Sequence, residues 1–570
     1  MLVTFQTSRD RVRFCLVLGC ALIAISSAQA QVPSAGSFQQ NIDQELRQNP
    51  LPQKVTPKLI PEPEKKATGG IAFVLKTIQF TGNTVLSNSQ IESLIEPYLN
   101  KSIDFGQLQV LASAIEAAYR NSGGIARVVI PPQDINNGVL TIQIEESIFG
   151  ITKIEGAITR VKPQQIIDIM NAAQTSGQLV EVSHLDRGIL LSDDLPGVTV
   201  GGVLAQGSTA LTTDLIARVA DEPLVFGNAQ ADNTGPTSIG AYRVLGNLGM
   251  NSPLGVGDLL LATYLYSEGS NYGRLSYTVP VGSDGLRVGV NGSTMAYRLI
   301  SSQFVALGAT GTSSTGGVEA NYPIIRSRSA NLYVSGNADY RQFSNSDAQQ
   351  GLINQYSVMD YSIGLFGNSF DAIGGSGSNN GSLVITSGNA NLAGSPKQAS
   401  VAAANNAQGS FTKIRYGANR NQLIVGGLSL YGSVSGQATN ANLDSSEMFY
   451  LGGAYGVRAY PTNEGAGSQG QLATVELRQA LPQNVNAAIF YDYGHVQVYP
   501  NNNYAGASAI NSYAMKGAGL SLGWKPASNI DLKTIWAKRI GANPNPTSIG
   551  GYQDGTNGSS QFWFMASIAF

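Results

Sequence analysis

The last ten residues read Gln561-Phe562-Trp563-Phe564-Met565-Ala566-Ser567-Ile568-Ala569-Phe570. Phe562, Phe564, Ala566, Ile568 and Phe570 fall on one face at a spacing of two. That is the period of a β-strand whose two faces meet different surroundings. Strands of the same kind recur upstream. Leu275, Tyr277 and Val279 oppose Arg274, Ser276 and Thr278; Leu286, Val288 and Val290 oppose Arg287, Gly289 and Asn291; Ala473, Val475 and Leu477 oppose Thr474, Glu476 and Arg478. In a closed barrel of an outer membrane the apolar side chains face lipid and the polar ones a wet lumen. Alternation by itself also fits a soluble sandwich whose apolar face turns inward.

Length and composition separate these two readings. From Pro223 onward the chain is rich in glycine, serine, asparagine and tyrosine, and residues 223–570 hold about sixteen strands of roughly ten residues. A single soluble core seldom grows so large from strands alone. The whole chain has 570 residues, 66 glycines, 24 tyrosines and only 13% charged residues, an unusual balance for a soluble enzyme. Mean hydropathy is −0.02, the average expected of alternating strands. After residue 30 no apolar run is long enough for a membrane helix. A net charge of −2 gives no basic field, so nucleic acid is not an expected partner.

Residues 1–30 read as a secretory signal. Arg9, Arg11 and Arg13 precede an apolar stretch, Phe14 to Ile25, and the small-residue site Ala28-Gln29-Ala30. That stretch, about twelve residues, is too short for an anchor helix. Its removal takes away three arginines and one aspartate, moving the charge from −2 to −4, and also both cysteines, Cys15 and Cys20. The mature chain then has no disulfide and no thiolate metal site. Residues 31–70 divide into a short helix over Ser37 to Gln48, with Phe38, Ile42 and Leu46 along one face, and a proline-rich tether from Pro50 to Pro63. A disordered terminus fits the same residues.

Two units of about 75 residues follow, each ordered strand, helix, helix, strand, strand. In the first, 71–147, a strand from Phe73 to Thr81 ends at Gly82-Asn83. Helices are expected over Ser89–Leu99 and Phe105–Asn121, the second with Leu108, Leu111, Ile115 and Ala118 on one face, then strands Ala126–Ile130 and Val139–Glu145. In the second, 148–222, the strands are Ile148–Glu155, Val198–Leu204 and Thr212–Ala220, and the helices Pro163–Ala173 and Val182–Asp193. The low-complexity stretch Gly388 to Ser410 reads as a long exposed loop.

Signatures of catalysis are sparse. His184 and His495 are the only histidines, so no HExxH helix exists, and no Walker P-loop occurs. Gly519-Leu520-Ser521-Leu522-Gly523 matches the nucleophile-elbow pattern but sits inside an alternating strand with no helix after it. The expectation is a protein that is not an enzyme and needs no cofactor or metal. Two polar segments stand out instead. Arg458 lies in the glycine-dense loop Gly452-Gly453-Ala454-Tyr455-Gly456-Val457-Arg458-Ala459-Tyr460, and Asp492 in the strand segment Phe490-Tyr491-Asp492-Tyr493-Gly494. If Asp492 faces the lumen, a loop folded into the barrel brings Arg458 to it, and a pair away from bulk water is directional and can be bidentate. Spacing alone equally allows two unrelated solvated charges.

At these residues the chain resembles the two-partner secretion transporter family, outer-membrane exporters of large haemolysins and adhesins. Phe73 to Asn83, Ala126-Arg127-Val128-Val129-Ile130-Pro131-Pro132-Gln133-Asp134 with Gly138, and Asp194-Leu195-Pro196-Gly197-Val198 resemble parts of its polypeptide-transport-associated (POTRA) domains. Asp232-Asn233-Thr234-Gly235 and Asn251-Ser252-Pro253-Leu254-Gly255-Val256-Gly257-Asp258 resemble the start of its barrel. Leu451 to Gly453 with Val457 to Tyr460 resembles its inward-folded loop, and Phe490 to Gly494 the partner strand. The resemblance implies two periplasmic POTRA domains, a sixteen-stranded barrel over 223–570, and a plug helix ahead of the tether. It also implies an Arg458–Asp492 lock in the lumen, supported by Gly453, Val457, Tyr460, Phe490 and Gly494. The chain departs from the family at Ala459, where glycine is usual; a methyl group there disfavours positive φ.

The function this implies is export of a large partner exoprotein, of haemolysin or adhesin type, from periplasm to cell surface without nucleotide hydrolysis. The expected partners are the unfolded exoprotein on the POTRA domains, outer-membrane lipid, and the barrel assembly machinery during biogenesis, with the transporter itself a monomer. An insertase of other barrels shares the arginine loop but usually carries more periplasmic modules, and a passive porin has no use for two folded ones.

Overall fold

The computed structural model describes residues 32–48, 72–133, 135, 138–209, 211–504, 507–548 and 550–570. The signal segment 1–30 and most of the tether, including Pro50 to Pro63, lie outside the described residues.

Sixteen antiparallel strands between Val225 and Ala569 close into a barrel, each bonded to its sequence neighbours. The ring closes where the last strand, Ser560–Ala569, pairs with the first, Val225–Asp232, from Met565 opposite Asp232 to Ala569 opposite Asn228. This is the shortest ladder in the ring. Beyond its end the side-chain amide of Asn233 continues the bonding, donating to Phe562 O at 2.8 Å and accepting from Phe564 N at 2.7 Å. The alternation decides the faces. Phe562, Phe564, Ile568, Leu275 and Val475 stand exposed on the outer wall, while Trp563, Met565, Thr474 and Glu476 are buried inside. An apolar outer wall and a polar interior are what a bilayer demands of strands whose backbone groups are all paired. No described helix is long and apolar enough to cross a membrane; the strands make the crossing.

Two small units precede the barrel and repeat one arrangement. In the first, the central strand Val139–Glu146 lies between Thr77–Thr81, parallel, and Ala126–Val129, antiparallel. In the second, Thr212–Asp221 lies between Ile148–Glu155, parallel, and Val198–Gln206, antiparallel. Each sheet packs its helices over its own core. The helix Phe105–Asn121 starts at a capping box in which Asp104 and Gln107 satisfy each other's free N–H groups. It buries Leu108, Leu111, Ile115 and Tyr119; Ala118 packs against the same core, and the Tyr119 hydroxyl donates to Glu146 at 2.8 Å.

The structure corrects four sequence-based expectations. The strand expected over Phe73–Thr81 breaks at Lys76, because the N–H groups of Lys76 and Thr77 both turn to the Gly138 carbonyl; Phe73–Leu75 pairs instead with an additional strand, Lys101–Ile103. The helix expected to Leu99 ends at Ile95 and tightens into a 3₁₀ turn over Glu96–Tyr98, where Pro97 can donate no helical hydrogen bond. The stretch Gly388–Ser410 is not one long loop: a barrel strand continues to Asn391, a helix spans Gln398–Asn405, and the next strand starts at Gly409. The N-terminal helix starts at Ala35, two residues early.

The second unit is clamped to the near end of the barrel. Arg326 reaches Asp194 with two bonds of 2.8 Å, Arg328 reaches Asp186 at 3.0 Å, and Arg187 meets Asp284 at 3.1 Å.

Candidate functional site

The connection between the strands Leu428–Thr439 and Gln469–Leu481 does not run over the rim. It folds back into the barrel, stapled at its base by a two-residue ribbon, Phe449–Tyr450 against Ala466–Gly467. Its tip carries Arg458, and the tip's shape depends on glycine. Gly453 has φ of +110°, and a Cβ at Gly456 would overlap the Leu451 carbonyl.

Arg458 is 6% exposed and Asp492 fully buried. The guanidinium donates through Nε and Nη2 to the two carboxylate oxygens of Asp492 at 2.9 and 2.8 Å. The Arg458 backbone N–H adds a third bond, 3.1 Å, to the same carboxylate. Thr474 Oγ1 donates to Asp492 at 2.9 Å. The remaining guanidinium corner donates to Glu476 at 2.6 Å, and Glu476 accepts from Arg478 at 2.6 Å. The flat face of Arg458 lies 3.3 Å from the ring centroid of Phe490, a cation–π stack. From the last strand, Trp563 donates to the Arg458 carbonyl at 2.8 Å. Fork geometry, burial and bonds from all three guanidinium nitrogens make this a directional tie, because removing one charge would strand the other out of water.

The other motif residues shape the cavity for the loop. Val457 and Tyr460 are buried. Tyr460 stands edge-on to Tyr552, with ring centroids 5.7 Å apart, and its hydroxyl accepts from Lys516 N at 3.4 Å. A Cβ at Gly494 would stand 2.8 Å from Val457 and 2.9 Å from Leu451, so that strand must be bare where the loop leans on it. Every motif residue expected from the sequence thus meets at one place. Glu476 was missed as a partner of Arg458, although its parity placed it on the polar face. The ladder that sets Thr474 opposite Asp492 and Glu476 opposite Phe490 supplies the register that sequence parity lacks. The segment Gly519–Gly523 lies inside the strand Ser512–Ala527, with Leu520 and Leu522 on the outer wall. Among the described residues no cluster of three His, Cys, Asp or Glu side chains is placed to hold a metal ion.

The helix Ala35–Gln48 lies inside the barrel. Ala35, Phe38 and Ile42 are buried against lumen residues, and Phe38 meets Tyr297 edge-on at 4.9 Å. Its polar face is bonded as well. Ala35 N donates to Asn345 at 2.8 Å, and Gln39 accepts from Ser313 at 2.9 Å. Glu45 receives both terminal nitrogens of Arg243, at 2.8 and 2.7 Å. Arg243 also donates to Asp232 at 2.9 Å and to the hydroxyl of Thr234, whose carbonyl accepts from Thr462 of the inward loop at 2.7 Å. A void of about 20 Å³ separates the helix, at Asn41, Gln44 and Glu45, from loop residues Gly452 to Gly456. Helix, first strands and loop therefore share one polar junction.

Comparisons with known proteins follow this architecture. The model of the family described as haemolysin secretion/activation protein ShlB/FhaC/HecB matches residues 212–525, and that of the ShlB-type POTRA domain matches residues 73–147. The heme/hemopexin transporter protein HuxB of Haemophilus influenzae strain 86-028NP is 24% identical over 484 residues, covering 83% of this chain and 85% of that one. The outer membrane transporter CdiB of Escherichia coli is 26% identical over 257 residues, covering 43% of each. Among solved structures, CdiB from Escherichia coli superposes with a TM-score of 0.66 at 19% identity, over 95% of this chain and 100% of that one. BamA from Haemophilus ducreyi lacking POTRA domains 1–3 gives 0.53 at 14% identity, over 88% and 100%.

Proposed function

The chain belongs to the haemolysin secretion/activation protein family, outer-membrane transporters of two-partner secretion, and on that premise we propose how it passes its partner exoprotein. The exoprotein arrives unfolded in the periplasm and docks on two POTRA modules, residues 71–147 and 148–222, whose strand edges can bind an extended chain through main-chain hydrogen bonds. It then threads the polar lumen of residues 223–570 after the helix Ala35–Gln48 withdraws. The Arg458–Asp492 tie holds the inward loop, so the lumen keeps its shape while the helix is absent. Folding of the exoprotein outside removes it from the unfolded pool and draws the chain forward without nucleotide. The transporter works as a monomer and reaches the membrane through the barrel assembly machinery.

The observation that carries this reading is a helix seated in the lumen by apolar packing and by hydrogen bonds that each involve a side chain, outside the main-chain ladders that close the ring. The family match over residues 212–525 favours export over the insertase reading, for which the likeness to BamA speaks only at the level of fold. The test is location of the partner. Deleting this chain should trap its partner exoprotein in the periplasm, and restoring the chain should return that protein to the surface. Unchanged surface delivery without the chain would refute export.

A further inference from the structure

The helix Ala35–Gln48 does more than fill space: two of its glutamines cap a strand edge. Leu451 N–H donates to Gly465 O across the loop's ribbon at 3.1 Å. Alternation along an extended chain turns the main-chain groups of Met448 and Tyr450 the other way. There they meet side-chain amides. Gln40 Nε2 donates to Met448 O at 3.1 Å, and Gln44 Nε2 donates to Tyr450 O at 2.9 Å. Gln44 Oε1 also accepts from Tyr450 N at 3.4 Å. A primary amide offers one donor and one acceptor side by side, as a peptide group does. Gln44 thus occupies Tyr450 as a neighbouring strand would, and Gln40 takes the carbonyl two residues earlier.

When the helix withdraws, these groups lose their partners inside a lumen whose wall strands are bonded on both sides. Main-chain groups uncovered there are left to water or to the main chain of an entering polypeptide. We propose that the edge Met448–Tyr450 is a docking site within the lumen for an extended polypeptide segment, which pairs there by main-chain hydrogen bonds, and that Gln40 and Gln44 keep it covered at rest. The site selects for extended conformation and for available N–H groups, not for side chains, as suits a pore that must pass a long and varied chain. This inference rests on the export reading, since it needs the helix to leave and a chain to enter.

The experiment uses the full mature chain in planar lipid bilayers, with Gln40→Leu/Gln44→Leu to uncover the edge. The probes are a short peptide alternating threonine and valine and a control of the same sequence methylated at every peptide nitrogen, which has no main-chain N–H to donate. The expected result is that the threonine–valine peptide dwells in the pore about tenfold longer than the control, the difference a few recovered hydrogen bonds make. A chain expressed from Gln31 has no cysteine, so the position can be fixed as well. A threonine–valine peptide ending in cysteine should be captured by Met448→Cys in preference to Arg274→Cys on the wall. Equal dwell times, or equal capture at both positions, overturn the docking site and leave export standing. Exclusion of both peptides from a pore that conducts ions overturns the site and the export reading together. Should the double variant lose its loop, the same peptide comparison on the wild-type chain during its spontaneous openings decides between the same outcomes.

Discussion

The methyl group of Ala459 lies against Gly517, where a Cβ would stand 2.5 Å away. The family resemblance implies glycine at the position of Ala459, and with it a positive φ in the loop. Ala459 is not among the residues with positive φ, so the methyl group strains no backbone there. Its room comes from the facing strand, which is bare at Gly517, and the two positions form one packing unit.

That unit predicts a rescue. Gly517→Ala should destabilise the inward loop by about 1–3 kcal/mol through overpacking, seen as a lower unfolding temperature in detergent and faster proteolysis near residue 455. Ala459→Gly in the same chain should restore both. Additive losses in the double variant would refute the pairing.

Arg458→Ala should leave the barrel assembled and heat-modifiable on gels while secretion falls sharply. The change strands the Asp492 carboxylate, for which removal of one partner of a buried pair costs about 3–5 kcal/mol. Arg458→Lys should rescue poorly, because an ammonium cannot span Asp492, Glu476 and the face of Phe490 together. Secretion at the wild-type level by Arg458→Ala would remove the tie from the mechanism.

Glu45→Gln keeps the size of the side chain and removes its charge. A charge-assisted bond is worth about 1 kcal/mol more than a neutral one, so the fraction of time the pore conducts should rise about fivefold to tenfold. Arg243→Gln is the wrong control, because Arg243 also bonds Asp232 and Thr234. Conductance unchanged in Glu45→Gln would show that the charge of Glu45 does not hold the helix in place.

The outer wall is testable at Phe564, which is 41% exposed in the absence of lipid. Phe564→Arg should cost about 2–4 kcal/mol if the residue lies near the bilayer midplane, measured as lost insertion into vesicles. The same change at an exposed site such as Glu92 in the first unit should leave insertion intact.

Much of this architecture was legible because its signals are local. Period-two alternation puts Phe562 and Glu476 on faces of opposite character, length and composition turn the apolar face outward, and the helix and strand order of both small units follows from periodicity and glycine turns. The Arg458–Asp492 meeting was open on spacing alone and became an expectation only through resemblance. What stayed hidden depends on register and distance. Nothing near Glu45 announces Arg243, 198 residues away, and the break at Lys76 depends on a carbonyl at Gly138. Composition misled at Gly388–Ser410, where small polar residues serve a strand that outruns the membrane as readily as they serve a loop.

The barrel's closing ladder, Met565 to Ala569 against Asn228 to Asp232, has one further consequence. A hoop fastened by so few rungs, lengthened at one end by Gly227 against Phe570 and at the other by Asn233 against Phe562 and Phe564, has a tear line fixed in advance. Heat or outward pressure should split this ring between its two chain ends before loosening any other stave, so the first sign of failure is a sheet unrolled from one margin and not a collapsed tube.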